Sequence, residues 1–246
     1  PLSVTGYVNP IAIMTGLTNI AVCSGAQINP AAFVSNPVGS TFAWTNSNPL
    51  IGLASNGVGS ISPWQAPVNN TNSTISGNLI VTPTYNSCGG TPSNFTISVY
   101  PAPFVTNVVL AQTICSGISS TAVSWTSGVV GATFSWTAVG SSASISGFPA
   151  NGNGNLPVYA NLINTSNTDQ TITFTVIATA NGCNSVPVNY VITVKPTPIL
   201  TISPNQTICG GSSTSLTTFS NSVLGGTFAW VLLNPAAVPG TITGFP

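Results

Sequence analysis

The sequence has almost no charged residues. Lys195 is the only basic residue and Asp169 the only acidic one in 246 residues, and histidine is absent. A typical globular protein contains about 25% Asp, Glu, Lys and Arg. Binding to nucleic acid, phosphate groups or anionic membranes depends on clustered basic side chains. The composition therefore predicts no partner of these kinds, and no nucleic acid in particular.

The same absences exclude most catalytic and metal sites. General acid–base catalysis needs a tunable carboxylate or histidine, and a serine nucleophile needs a base beside it. Calcium binding requires several carboxylates, and zinc binding requires clustered cysteines or histidines. Asp169 stands alone in a Ser-Asn-Thr-Asp-Gln segment that is typical of an ordinary turn. We therefore expect no enzyme activity, no metal and no cofactor.

Long apolar runs and helix-forming segments are also missing. The chain has no run of about 18 apolar residues, so we expect no transmembrane helix and no membrane insertion. Its 20 prolines and 24 glycines interrupt it every few residues, which disfavours helices. Segments such as 171–176 and 188–194 instead alternate apolar and polar residues, which is the period of a β-strand. The chain is predicted to be all-β.

Landmark residues recur at a domain-sized interval. Cys23, Cys115 and Cys209 are separated by 92 and 94 residues. This period predicts tandem domains: repeat one at 11–103, repeat two at 104–198 and the N-terminal part of repeat three at 199–246. Residues 1–10 are similar to the last strand of a preceding repeat. We expect the chain to be a window onto a longer array.

An alternating Phe-x-Trp strand occurs once in each repeat. A buried tryptophan can anchor a small domain, because it removes roughly 200 Å² from water. We interpret these aromatics as core residues, although tryptophans could also form sugar-binding platforms. About seven short strands per repeat fit an immunoglobulin-like Greek-key β-sandwich. The aromatic residues are Phe42 and Trp44, Phe134 and Trp136, and Phe228 and Trp230.

The five cysteines occupy repeat-related positions, which suggests disulfides and an oxidising compartment. We expect one bond within each whole repeat, Cys23 with Cys88 and Cys115 with Cys183. Cys209 would have its partner outside the chain. The alternative is that these residues are buried free thiols.

The linkers between repeats are short and rich in proline. Pro-x-Pro occurs at 101–103 and again at 196–198. Proline fixes φ and favours an extended backbone, so each joint should be semi-rigid. We therefore expect an elongated array.

The second repeat carries short motifs in a definite order. They are Ile-Cys-Ser-Gly at 114–117, Phe-Ser-Trp-Thr at 134–137, a glycine-rich turn, Leu-x-Asn at 162–164, Thr-x-Thr-Phe-Thr-Val at 171–176, Asn-Gly-Cys at 181–183 and Ile-Thr-Val-Lys-Pro-Thr-Pro at 192–198. This series resembles the PKD-like, immunoglobulin-like repeats of giant surface adhesins in gliding Bacteroidetes. The resemblance implies export by the type IX secretion system, a place on the bacterial outer surface, and partners in the secretion and gliding machinery.

Two functions are compatible with these features. The first is a structural stalk or filament segment of a very long secreted adhesin, which holds adhesive regions away from the cell and bears tension. In that role its immediate partners would be neighbouring repeats of the same polypeptide. The second is a module that binds carbohydrate or a solid surface through Ser, Thr, Asn and aromatic side chains. Aromatic rings exposed on a flat strand face would favour the second function.

Overall fold

The computed structural model describes residues 6, 8–107 and 109–230. Within these residues there is no α-helix, and a single 3₁₀ turn, Pro49–Ile51, lies in the first repeat. Most of the predicted strand at 1–10, and residues 231–246 of the predicted third repeat, fall outside the described residues. Two sandwich modules follow one another along the chain, and the prediction of an all-β, tandem immunoglobulin-like fold is confirmed.

The first module is built from short strands and three long ones. Its strands are β1 (Ile13–Thr15), β2 (Ile20–Cys23), β3 (Gln27–Ile28), β4 (Val34–Asn36), β5 (Thr41–Asn46), β6 (Asn56–Val58), β7 (Trp64–Gln65), β8 (Ile75–Tyr85), β9 (Cys88–Gly89) and β10 (Ser93–Tyr100).

The second module and the segment after it continue the series. Their strands are β11 (Ala111–Cys115), β12 (Thr133–Gly140), β13 (Ile145–Ser146), β14 (Asn151–Asn153), β15 (Ile163–Asn164), β16 (Gln170–Ala180), β17 (Cys183–Asn184), β18 (Val188–Lys195), β19 (Leu200–Ile202) and β20 (Phe219–Asn221).

Both modules have the same main sheet. Its order is β2-β10-β8-β5-β6 in the first module and β11-β18-β16-β12-β14 in the second, with β9 and β17 added beside β8 and β16. Short two-stranded sheets complete the modules: β1 with β4 and β3 with β7 in the first, and β13 with β15 in the second. Each sequence repeat therefore folds into one module, and the two modules have the same strand order.

Strand alternation accounts for the core of the second module. Ile172, Phe174 and Val176 on β16 are fully buried, whereas the threonines between them face the other side of the sheet. Phe174 stacks on Tyr159, with ring centroids 5.7 Å apart, and meets Trp136 edge to face at 5.4 Å. These rings fill the space under the main sheet and hold it against the opposite layer.

Two tyrosines belong to that aromatic cluster. Tyr159 and Tyr190 are buried, and removal from water raises the pKa of both phenols above the usual value of 10.0. A hydrogen bond with Gln112 acts in the opposite direction on the pKa of Tyr190. Both groups therefore stay neutral at physiological pH and act as apolar filling.

In each main sheet, the strand that comes first along the chain is parallel to the strand that comes last along the chain. β2 pairs with β10 so that Cys23 lies beside Tyr100, and β11 pairs with β18 so that Cys115 lies beside Lys195. The remaining pairs in both main sheets are antiparallel. The first cysteine of each module is therefore located where the last strand ends, next to the linker that follows.

A tight hairpin places the second cysteine of each module at the opposite end. Asn181 and Gly182 both have positive φ, 51° and 76°, between the paired residues Ala180 and Cys183. Positive φ at both central positions is the mark of a type I′ turn, for which Asn-Gly is a favoured sequence.

The segment after the second linker has only a small sheet among its described residues. β19 pairs with β20, and no second layer of described residues covers them. Phe228 and Trp230 are 44% and 56% exposed. No described residue packs over these two aromatics, and residues 231–246 of the same repeat lie outside the described residues, so their assignment as core residues stays a prediction.

Candidate functional site

A disulfide joins the two modules. Cys23 of the first module is bonded to Cys183 of the second, across a sequence separation of 160 residues. Their Cα atoms are 5.6 Å apart, within the range normal for a disulfide. The bond links the end of β2 to the β16–β17 hairpin and so spans the junction between modules.

This connectivity corrects the predicted pairs Cys23–Cys88 and Cys115–Cys183. Cys23 lies beside the last residue of β10, whereas Cys88 lies in the hairpin before β10 begins. The eight residues of β10 extend on the order of 23 Å, and a disulfide tolerates Cα atoms up to about 7 Å apart. The two cysteines of one module are therefore too far apart to bond to each other.

The other three cysteines are free thiols. Cys88 is half-buried, and Cys115 and Cys209 are exposed. Cys88 occupies the hairpin position of Cys183, and Cys115 occupies the strand-end position of Cys23. These three cysteines are therefore free but not buried, so the alternative of buried free thiols does not describe them.

A buried asparagine anchors the Cys23 side of the junction. Ser24, next to the disulfide, donates its backbone N–H to the Tyr100 carbonyl at 2.8 Å. Its hydroxyl accepts the backbone N–H of Asn69 at 2.8 Å. The Asn69 side chain is 4% exposed and donates to the carbonyls of Val99 and Ser73 at 3.0 and 2.9 Å. The bonded cysteine is thereby tied to the last strand of its module.

The second module repeats this network. The Ser116 hydroxyl accepts the backbone N–H of Asn164 at 3.0 Å. The Asn164 side chain, 5% exposed, donates to the carbonyls of Val194 and Thr168, both at 2.8 Å. The Cys-Ser-Gly and Leu-x-Asn motifs are thus two halves of one network. The sequence signal for the network is the recurrence of Cys-Ser-Gly at 23–25 and 115–117 and of an asparagine at 69 and 164.

The central strand of the second module anchors the Cys183 side. Cys183 is 2% exposed and pairs with Ala180 at the end of β16. Beyond it, Ser185 exchanges two hydrogen bonds with Ala178: its N–H donates to the Ala178 carbonyl at 2.8 Å, and its hydroxyl accepts the Ala178 N–H at 2.9 Å. The hairpin that carries the disulfide is therefore held firmly on β16.

The predicted core aromatics of the two whole modules lie inside them. Trp44 and Trp136 are buried, and Phe42 and Phe134 are half-buried against the same cores. Each tryptophan faces a glycine on the neighbouring edge strand, Trp44 opposite Gly57 and Trp136 opposite Gly152. A Cβ atom on either glycine would lie 2.2 Å from a carbon of the facing indole ring, far closer than two such atoms can approach. The glycine is thus required by the ring, a feature that sequence reasoning missed.

Neither a metal centre nor a membrane-spanning helix is found in the described part of the chain. It holds no group of three or more His, Cys, Asp or Glu side chains placed to bind an ion. Across the same residues, no helix has the length and apolar character needed to cross a bilayer.

Comparison with known families identifies the second module. Residues 112–198 match the family model of the PKD-like domain. The second module is similar to a PKD-like domain, and the first module has the same strand order. The match begins inside β11 and ends at the second Pro-x-Pro linker, so it covers nearly all of the second module. Modules of this class are typically structural and not catalytic.

Solved structures give weaker likenesses. Extracellular cadherin domains 3–6 of protocadherin gamma B2 align at 10% identity and a TM-score of 0.39, over 76% of this chain and 52% of that one. An I-band fragment of titin aligns at 5% identity and 0.41, over 87% and 77%. A fragment of mouse cadherin-23 aligns at 9% identity and 0.38, over 87% and 78%.

This chain spans about half the length of the protocadherin structure. Among curated protein sequences, none matches it. Because the TM-scores are below 0.5, the fold assignment rests on the strand order and the PKD-like match. The disulfide between modules is of the kind found in extracellular proteins.

Proposed function

We propose that this chain is a stalk or filament segment of a very long secreted cell-surface adhesin. Its repeats would hold adhesive regions away from the cell and bear tension. The observation that carries the proposal is the covalent junction, because a disulfide between consecutive modules resists their separation. The bond is anchored on both sides by strands of the main sheets, as a joint under load requires.

The linker between the modules supports the same function. Pro101 and Pro103 are buried, although they belong to no strand. Their fixed φ and their burial limit bending at the joint. Together with the disulfide they favour an elongated, semi-rigid array.

Placement on the bacterial outer surface is part of the proposal. The likeness to gliding-type adhesins supports export by the type IX system and attachment to the gliding machinery. The two whole modules give a carbohydrate- or surface-binding role less support, because Trp44, Trp125 and Trp136 are buried and Trp64 is half-buried; among the described tryptophans only Trp230, in the segment after them, is exposed.

Single-molecule stretching tests the stalk function. With the disulfide reduced, we expect two unfolding steps of similar length, each about 300 Å for a module of this size. A stalk requires both steps to occur at a resolvable force, because the modules must resist load. Extension that rises smoothly without steps would contradict the proposal.

In a longer array the register of the Cys23–Cys183 bond would repeat at each junction. Cys88 would bond to the first cysteine of a preceding repeat, and Cys115 to the second cysteine of the following one. Each bond would form as two thiols give up two electrons and two protons to a small-molecule disulfide, which is reduced to two thiols.

Peptide mapping without reduction tests this register in a chain extended to a complete third repeat. We expect Cys115 to be recovered in one peptide pair with the second cysteine of that repeat. Cys23–Cys183 serves as the internal control. Recovery of a Cys115–Cys183 pair would contradict the register.

A further inference from the structure

The disulfide closes a loop that contains most of both modules. Cys23 is the last residue of β2, and Cys183 follows the long strand β16. Strands β3 to β16 therefore all lie between the two bonded cysteines. The shortest covalent route along the chain leaves the backbone at Cys23, crosses the two sulfur atoms and rejoins it at Cys183.

Tension applied at the two ends follows that shortest covalent route. Residues outside the loop are pulled directly, because no alternative covalent connection carries their load. Residues inside the loop cannot be extended between the two ends while the bond is intact, even if their hydrogen bonds open. The hydrophobic cores are assembled mainly from residues inside the loop, including Val81, Phe95, Trp136 and Phe174.

We propose that the Cys23–Cys183 disulfide acts as a tension bypass, a covalent path that withholds the loop of 160 residues from end-to-end extension. While the bond is intact, tension acts directly on only two stretches, the chain up to Cys23 and the chain from Cys183 onward. Its biological use rests on the proposed stalk function, but the bypass itself is a property of the connectivity.

The strands outside the loop, which tension pulls directly, are hydrogen-bonded along their length to neighbouring strands. β2 is paired with β10 over four residues, and β18 is flanked by both β11 and β16. A force along such a strand must break several ladder hydrogen bonds together, because they lie side by side along the strand. The two stretches outside the loop therefore resist extension through these ladders, and Tyr190, Ile192 and Val194 on β18 also pack in the core of the second module.

The test is stretching of the whole chain by its two ends, in oxidising and in reducing buffer. A loop of 160 residues fully extended would add about 580 Å. With the bond intact, we expect this length to be missing from the final extension. Reductant should restore it, and the double variant C23S/C183S should show it even in oxidising buffer.

The matched control uses the equivalent free cysteines. The double variant C88S/C115S changes one hairpin and one strand-end cysteine but leaves the Cys23–Cys183 bond. It should behave like the unaltered chain, short when oxidised and long when reduced. The comparison of the unaltered chain before and after reduction needs no variant, so it stays informative if C23S/C183S folds poorly.

The full extra length in the oxidised, unaltered chain would overturn the bypass. So would a missing length that persists after reduction. These outcomes are separate from failure of the stalk function, which would show as extension without unfolding steps in the reduced chain. The first measurement concerns total length, and the second concerns the force at which modules open.

Discussion

Replacing Asn164 by alanine is expected to lower the free energy of unfolding of the second module by about 3 to 4 kcal/mol. The buried amide donates to the carbonyls of Val194 and Thr168, and its oxygen accepts both the N–H and the hydroxyl of Ser166. Alanine removes all four bonds and leaves buried polar groups with fewer partners. A buried group without a partner costs about 1 to 3 kcal/mol.

Hydrogen exchange of the β16 and β18 amides would measure this loss, with the first module as an internal reference. Asn167→Ala is the matched control, because that side chain lies in the same loop and is exposed. Such surface changes usually stay within about 0.5 kcal/mol. If Asn164→Ala destabilised the module no more than Asn167→Ala, the network would not have the role assigned to it.

Replacing Gly152 by alanine is expected to destabilise the second module by about 2 to 3 kcal/mol. The new methyl group would occupy space held by the Trp136 ring. That ring is buried and packed against Phe174, so either the ring or the edge strand must shift to admit the methyl group. Gly57→Ala should do the same to the first module through Trp44.

Denaturant unfolding with tryptophan fluorescence as the probe would detect both the stability loss and the altered ring environment. Gly89→Ala is the control, since Gly89 also lies in a strand but a Cβ there meets no atom within 4 Å. That variant should be neutral within about 0.5 kcal/mol. Equal effects of Gly152→Ala and Gly89→Ala would show that the ring does not require the glycine.

Local sequence signals predicted the strands and turns well. The period-two pattern of 171–176 and 188–194 predicted β16 and β18, because one face of each strand packs in the core. The Asn-Gly pair at 181–182 is a local signal for the hairpin found there, because only a few residue types tolerate positive φ at both positions. These signals depend on neighbouring residues alone, so the sequence is sufficient for them.

The cysteine pairing depended on information that a repeat period does not contain. A bond within one repeat and a bond from each repeat to the next have the same periodicity. Only the parallel pairing of β2 with β10 places Cys23 at the far end of its module from Cys88. The contacts of Trp136 with Gly152 and of Ser116 with Asn164 could not be predicted from the sequence for the same reason, because they depend on the sheet register and on the path of a loop.

The position of the disulfide also determines how the chain responds to a protease. A single backbone cut anywhere between residues 23 and 183 leaves the two pieces attached through sulfur, so whatever flanks the segment on one side stays connected to whatever flanks it on the other. If the molecule is exposed to extracellular proteases, one cleavage between the bonded cysteines in either module would then leave the chain covalently connected from end to end.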